Sequence, residues 1–131
     1  MKLEEHLAAL EEHERKLKDC IEEGLENNQR NIAYNASHGS VELFSIYMHK
    51  LNLTTSGEKF DHRTFKKESE IERRLPADFP NRRKILELMR TIEEKRSVLC
   101  YGKRKPHEEI KQAIEAFREL KRLVSVEEGS V

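Results

Sequence analysis

Residues 28–53 read NQRNIAYNASHGSVELFSIYMHKLNL, and the directions taken by their apolar side chains decide the fold. In the second half, Val41, Leu43, Phe44, Ile46, Tyr47, Met48 and Leu51 point to nearly every side of a helix. A helix that is apolar all round is packed on several sides, so it belongs at the centre of a helical assembly. The first half carries Ala33, Ala36, Ser37, Gly39 and Ser40, small enough for a neighbouring helix to approach closely. Glycine costs about 1 kcal/mol relative to alanine inside a helix, a cost that close packing at Gly39 would offset.

Upstream, Leu3, Leu7, Leu10, Leu17, Ile21 and Leu25 recur at helical spacings over residues 3–25, with Glu4, Glu5, Glu11, Glu12 and Lys16 opposite. This predicts a one-sided amphipathic helix, with Gly24, Asn27 and Asn28 as its stop. Downstream, Thr54 to Gly57 read as a loop. FDHRTFKKESEIERRL, from Phe60, predicts one short helix anchored by Phe60, Phe65, Ile71 and Leu75. Pro76 and Pro80 bracket a break. A further helix starts near Pro80 with Ile85, Leu88, Met89, Ile92 and Leu99 as its stripe. Residues 102–105, Gly-Lys-Arg-Lys, read as a turn. Pro106 suits the first turn of the last helix, where its missing N–H is not needed, and Glu108 and Glu109 suit its positive end. Ile110, Ala113, Ile114, Phe117, Leu120 and Val124 give that helix a regular apolar face. The expectation is an all-α, antiparallel up-and-down four-helix bundle with one extra short helix, one domain over residues 1–126 and a disordered tail over 127–131.

The composition agrees: 38% of the 131 residues are charged and 36% apolar, with 5 Gly and 3 Pro, as suits long amphipathic helices. The formal charge is zero but uneven: 6 Lys/Arg against 10 Asp/Glu over residues 1–53, and 16 against 11 over 54–111. A basic middle permits contact with a phosphate-bearing ligand or an acidic partner. Cys20 and Cys100 make neither a disulfide framework nor a zinc signature. The N-terminus is unlike a signal peptide and no run approaches a membrane span, so a cytoplasmic protein is expected. The six histidines, His6, His13, His38, His49, His62 and His107, are spread along the chain with no metal-ligand spacing. No glycine-rich phosphate loop is present, no Ser-His-Asp set is suggested by spacing, and no cofactor is implied.

Arg96 lies four residues after Ile92 and three before Leu99, so it points along an apolar stripe. An arginine there either snorkels to the rim or is held inward by partners, because an unpaired buried charge is costly. Tyr101 follows five residues later, ahead of Lys103, Arg104 and Lys105. One reading puts a guanidinium, a phenol and three cations at one end of the bundle as a phosphate site. The other is an arginine paired with a core carboxylate and a tyrosine covering the core. Cys100, close to Arg96, could carry a lowered pKa or be an inert, packed thiol.

These features resemble the HEPN domain, the higher-eukaryote and prokaryote nucleotide-binding family. The segment AYNASHGSVELFSIYMHKLNL is similar to the family's alanine-rich helix running into an apolar half. His62, in KFDHRTF, resembles a histidine many members carry after that helix, and Arg96 to Tyr101 falls where the signature motif falls. Ribonuclease members carry Arg-x4–6-His, in which the histidine assists proton transfer and the arginine holds phosphate. Here residues 101 to 103 are Tyr, Gly and Lys, and a phenol, with an ordinary pKa of about 10, is a poor proton shuttle at neutral pH. Arg30 and His38 are one residue too far apart for the motif.

The resemblance implies a non-catalytic nucleotide- or RNA-binding domain of the tyrosine-terminated branch. Its ligand residues would be Arg96, Tyr101, Lys103, Arg104, Lys105 and His62, it would form a homodimer, and it could partner a minimal nucleotidyltransferase in a toxin–antitoxin-like pair. The alternatives are a ribonuclease with an atypical site built on Arg96 and Tyr101, and a helical dimerisation module without a ligand.

Overall fold

The computed structural model describes residues 2–53, 60–76 and 78–129, with side chains as far as Ser125. The described chain is all-α, without a strand. Its helices are α1 (Leu3–Glu23), α2 (Gln29–Lys50), α3 (Glu68–Arg74), α4 (Arg82–Leu99) and α5 (His107–Gly129). Three-residue and four-residue 3-10 turns at Glu26–Asn28 and His62–Phe65 join α1 to α2 and precede α3. The loop expected over Thr54 to Gly57 lies outside the described residues. The backbone of α5 runs on to Gly129, into the stretch expected as a tail.

The helix α2 packs against α1, α4 and α5, as its all-round apolar half requires. Ile32, Phe44 and Met48 are fully buried, and so are the small residues Ala36 and Ser37. A Cβ at Gly39 would lie 2.9 Å from Cε1 of Phe117, so the glycine is what lets α5 seat its phenyl ring here. Cross-contacts set the directions. His6 meets Glu42 and His13 meets Asn35, so α1 runs antiparallel to α2. Gln29 meets the Leu99 carbonyl and Ser37 meets Glu93, so α4 does too.

The stripes of α4 and α5 are buried where expected. That of α1 is shifted. Leu7 is 45% exposed while His6 is buried, and the face turned to α2 runs His6, Leu10, Leu17 and Cys20. The leucine spacing alone did not reveal this, because a buried histidine has found a carboxylate, with His6 Nδ1 lying 2.5 Å from Glu42 Oε2.

The single short helix expected after Phe60 is two pieces. Asp61 caps the 3-10 turn by accepting from the Arg63 N–H at 2.8 Å, and α3 starts only at Glu68. Phe65 is fully buried and, with Phe60 and Phe79, packs edge-to-face on Phe44. Burying a phenylalanine stabilises by about 1.5–3 kcal/mol. That anchor holds the turn, and with it His62, against α2 and α4. Among the described residues no helix is long and apolar enough to cross a membrane.

Candidate functional site

The incompletely buried positions of α2 include Arg30, Asn31, Tyr34, His38, Glu42 and His49. They follow one stripe at helical spacing, on the side flanked by α1 and α4. His6 and His13, seven apart on α1, reach the stripe from one side. His62 and Arg96 reach it from the other. Ring centroids lie 5.4 Å apart for His6 and His49, 5.7 Å for His13 and His38, and 5.7 Å for His38 and His62. Five histidines that are scattered in the chain thus gather along one face of α2, His6 itself being buried. His107 stands apart, exposed and 3.1 Å from Glu26.

This face is most polar where α4 and the 3-10 turn meet it. Glu93 is 2% exposed. The Ser37 hydroxyl donates to its Oε2 at 2.5 Å, and its Oε1 lies 3.0 Å from His62 Nδ1. Arg96 Nη1 lies 3.1 Å from the same Nδ1. A ring nitrogen cannot serve both: it either donates to Glu93 or accepts from Arg96. In the first state Arg96 has no hydrogen-bond acceptor among the described residues. Its Nε is buried without a partner in either state, and so is Nε2 of His38. No described carboxylate forms an ion pair with Arg96.

Burial pushes the Glu93 carboxyl above the ordinary range, opposed by the Ser37 hydroxyl, His62 and Arg96. His38 is pushed down to about 4, first by burial and then by Arg96, His13 and His62. It is therefore a neutral imidazole at pH 7. Its ring carries that of Tyr34 at 4.2 Å, tilted by 31°. His13, held by Asn35 at 3.0 Å, packs against both rings.

Of the residues expected at the site, the structure brings Arg96 and His62 together. Tyr101 lies beyond the end of α4, 67% exposed, with no described contact to Arg96. Arg104 turns to the start of α2, where its Nη1 donates to the Glu26 carbonyl at 2.7 Å and to Asn27 Oδ1 at 3.1 Å. The Lys105 N–H donates to Gln29 Oε1 at 2.7 Å, and Lys103 is exposed. This basic loop borders a depression of about 470 Å3 lined by residues 26–31, Gly102 and Arg104. Cys100 lies between the two regions, its thiol 3.8 Å from the Arg30 carbonyl. Burial pushes that thiol up despite Arg96 and Arg30, so it is not an activated nucleophile. Among the described residues no group of His, Cys, Asp or Glu is arranged to hold a metal ion.

Sequence reasoning missed Glu93, His38, Tyr34 and Ser37. For Glu93 a signal was present: it falls four residues after Met89 and three before Arg96, on the same buried stripe. Comparison with family models, curated proteins and solved structures finds no match for this chain.

Proposed function

We propose that the chain is a HEPN-like, antiparallel four-helix-bundle domain that binds a nucleotide or RNA without cleaving it, with Arg96 as the phosphate contact. One observation carries this reading. Arg96 is a half-buried guanidinium with an orphaned Nε and no direct ion pair among the described residues, Glu93 acting on it only through space. An unpaired charge in such a place is costly, and a bound phosphate would supply the countercharge and an acceptor for the Nη groups, the Nε lying buried behind them. His62 adds a second donor beside it. The basic loop of Lys103, Arg104 and Lys105 follows the end of α4 and suits a strand extending past Arg96. A homodimer and a small nucleotidyltransferase partner belong to the same reading, resting on the family resemblance.

The test is Arg96→Ala, assayed for binding of a labelled oligonucleotide and of mononucleotides. Binding should be lost, and melting should change little because no partner carboxylate is stranded. In the wild type, affinity should fall with salt by about 0.7 log units per phosphate contact per log unit of salt. Unchanged binding with a lowered melting temperature would sink the reading.

Ribonuclease activity is the second reading, favoured by the pairing of His62 with Glu93. A carboxylate on Nδ1 orients the imidazole and leaves Nε2 free to exchange protons. RNA cleavage that disappears in His62→Ala would establish it.

A further inference from the structure

Tyr34 is a large aromatic side chain left 46% exposed on a helix whose neighbouring positions, Ala33 and Asn35, are buried. It is also held still. One face packs on His38 at 4.2 Å, and the edge of the ring meets His13 at 6.4 Å and 61°. His13 is in turn fixed by Asn35. A ring held this way has little conformational freedom left to lose when something packs on it. From it, short steps lead to the guanidinium: His38 to His62 at 5.7 Å, then His62 to Arg96 at 3.1 Å. The partnerless Nε2 of His38 lies between the two ends.

We infer that Tyr34 is a base-stacking platform, so that a bound nucleotide or strand sets a phosphate on Arg96 and lays a base on Tyr34. The inference rests on the phosphate reading of Arg96 and adds the base to it. Every base has a π-face, so stacking tolerates any sequence, and base–aromatic contacts of this kind are a main source of affinity for unpaired strands. His38, the ring beneath Tyr34, is uncharged at pH 7. A lone phosphate would use Arg96 and leave Tyr34 idle, whereas a nucleotide uses both.

Tyr34→Ala and Tyr34→Phe are compared with wild type by fluorescence anisotropy, using labelled oligouridylate and an abasic oligomer of the same length. Tyr34→Ala should weaken oligouridylate by about 10-fold, the scale of one lost base–aromatic stack. Tyr34→Phe should stay close to wild type, and the abasic strand should bind all three alike. Uridine monophosphate as competitor separates the ligand sources: displacement by the free nucleotide points to a mononucleotide ligand, and displacement only by linked nucleotides points to a strand. Oligouridylate binding that survives Tyr34→Ala but not Arg96→Ala overturns the stacking role and leaves the phosphate reading standing. Loss of the abasic strand in Tyr34→Ala also overturns it, because the tyrosine would then be shaping the site. Failure of wild type to bind either strand overturns both.

Discussion

His62 and Glu93, thirty-one residues apart, meet with Nδ1 3.0 Å from Oε1 at a point where the carboxylate is 2% exposed. The pairing joins the 3-10 turn to α4, and the Ser37 hydroxyl joins α2 to the same carboxylate. Three elements thus converge on one buried acid. Glu93→Ala should strand Ser37 and His62 and remove the negative charge that acts on Arg96 through space. The expected loss is about 3–5 kcal/mol, typical of removing one partner from a buried charged network. Glu93→Gln, which keeps the size and one acceptor, should cost less. Urea denaturation measures both, and equal losses would show that the charge is irrelevant to the network.

His38 gives the fold a dependence on acid. Its imidazole titrates near 4 in the folded chain against 6.5 for the ordinary group. The unfolded chain therefore takes up a proton as pH falls through 6.5, and the folded chain does not until about 4. Stability from this group is complete above 6.5 and is lost on descending to 4. Discounted for partial solvent exposure, the loss is about 1–2 kcal/mol. His38→Gln should flatten the pH dependence of the melting temperature across that window. An unaltered profile would mean that other groups set it.

Arg104 is tied down rather than free. Its contacts with Glu26 and Asn27 hold the loop after α4 against the start of α2. Arg104→Ala should cost about 0.5–1.5 kcal/mol, the net worth of an ordinary hydrogen bond. Exposed Lys103→Ala should leave stability within about 0.5 kcal/mol. The salt dependence of oligonucleotide binding should flatten in both. Lys103 is the cleaner probe, because its effect on binding carries no change in the fold.

Gly39→Ala should destabilise despite alanine's better helix propensity. The new methyl would meet the Phe117 ring at 2.9 Å and the His13 Cβ at 3.5 Å. Overpacking of this kind costs about 1–3 kcal/mol, against about 1 kcal/mol gained in propensity. A melting temperature above wild type would show that Phe117 moves aside at little cost.

Leu7, 45% exposed on α1, separates folding from assembly. Leu7→Glu should leave urea stability of the monomeric chain within about 0.5 kcal/mol, as surface substitutions do. If α1 forms the seam of a homodimer, light scattering should give a dimer mass for wild type and a monomer mass for the variant. A stability loss as large as a core leucine's would place Leu7 inside the fold.

The local physics of the chain was legible without coordinates. The 3.6-residue period marked α1, α2, α4 and α5. Gly24 and Pro106 marked boundaries, and the apolar faces of α4 and α5 are buried residue for residue, because periodicity and capping act within a few residues of one another. Arg96 stood out for the same reason, as a charge on an apolar stripe. What only the tertiary structure decided is which distant side chains meet. The rotation of α1 that buries His6 and exposes Leu7 depends on Glu42, thirty-six residues away. The histidine cluster exists because α1 packs on α2 in antiparallel register, which sets His13 beside His38, and the anchored 3-10 turn brings up His62. Glu93 could be seen to share a stripe with Arg96, but the buried acid found its partners on two other elements. Hydrogen-bond complementarity across packed helices has no period in the sequence; it forms only when the core has fixed the register.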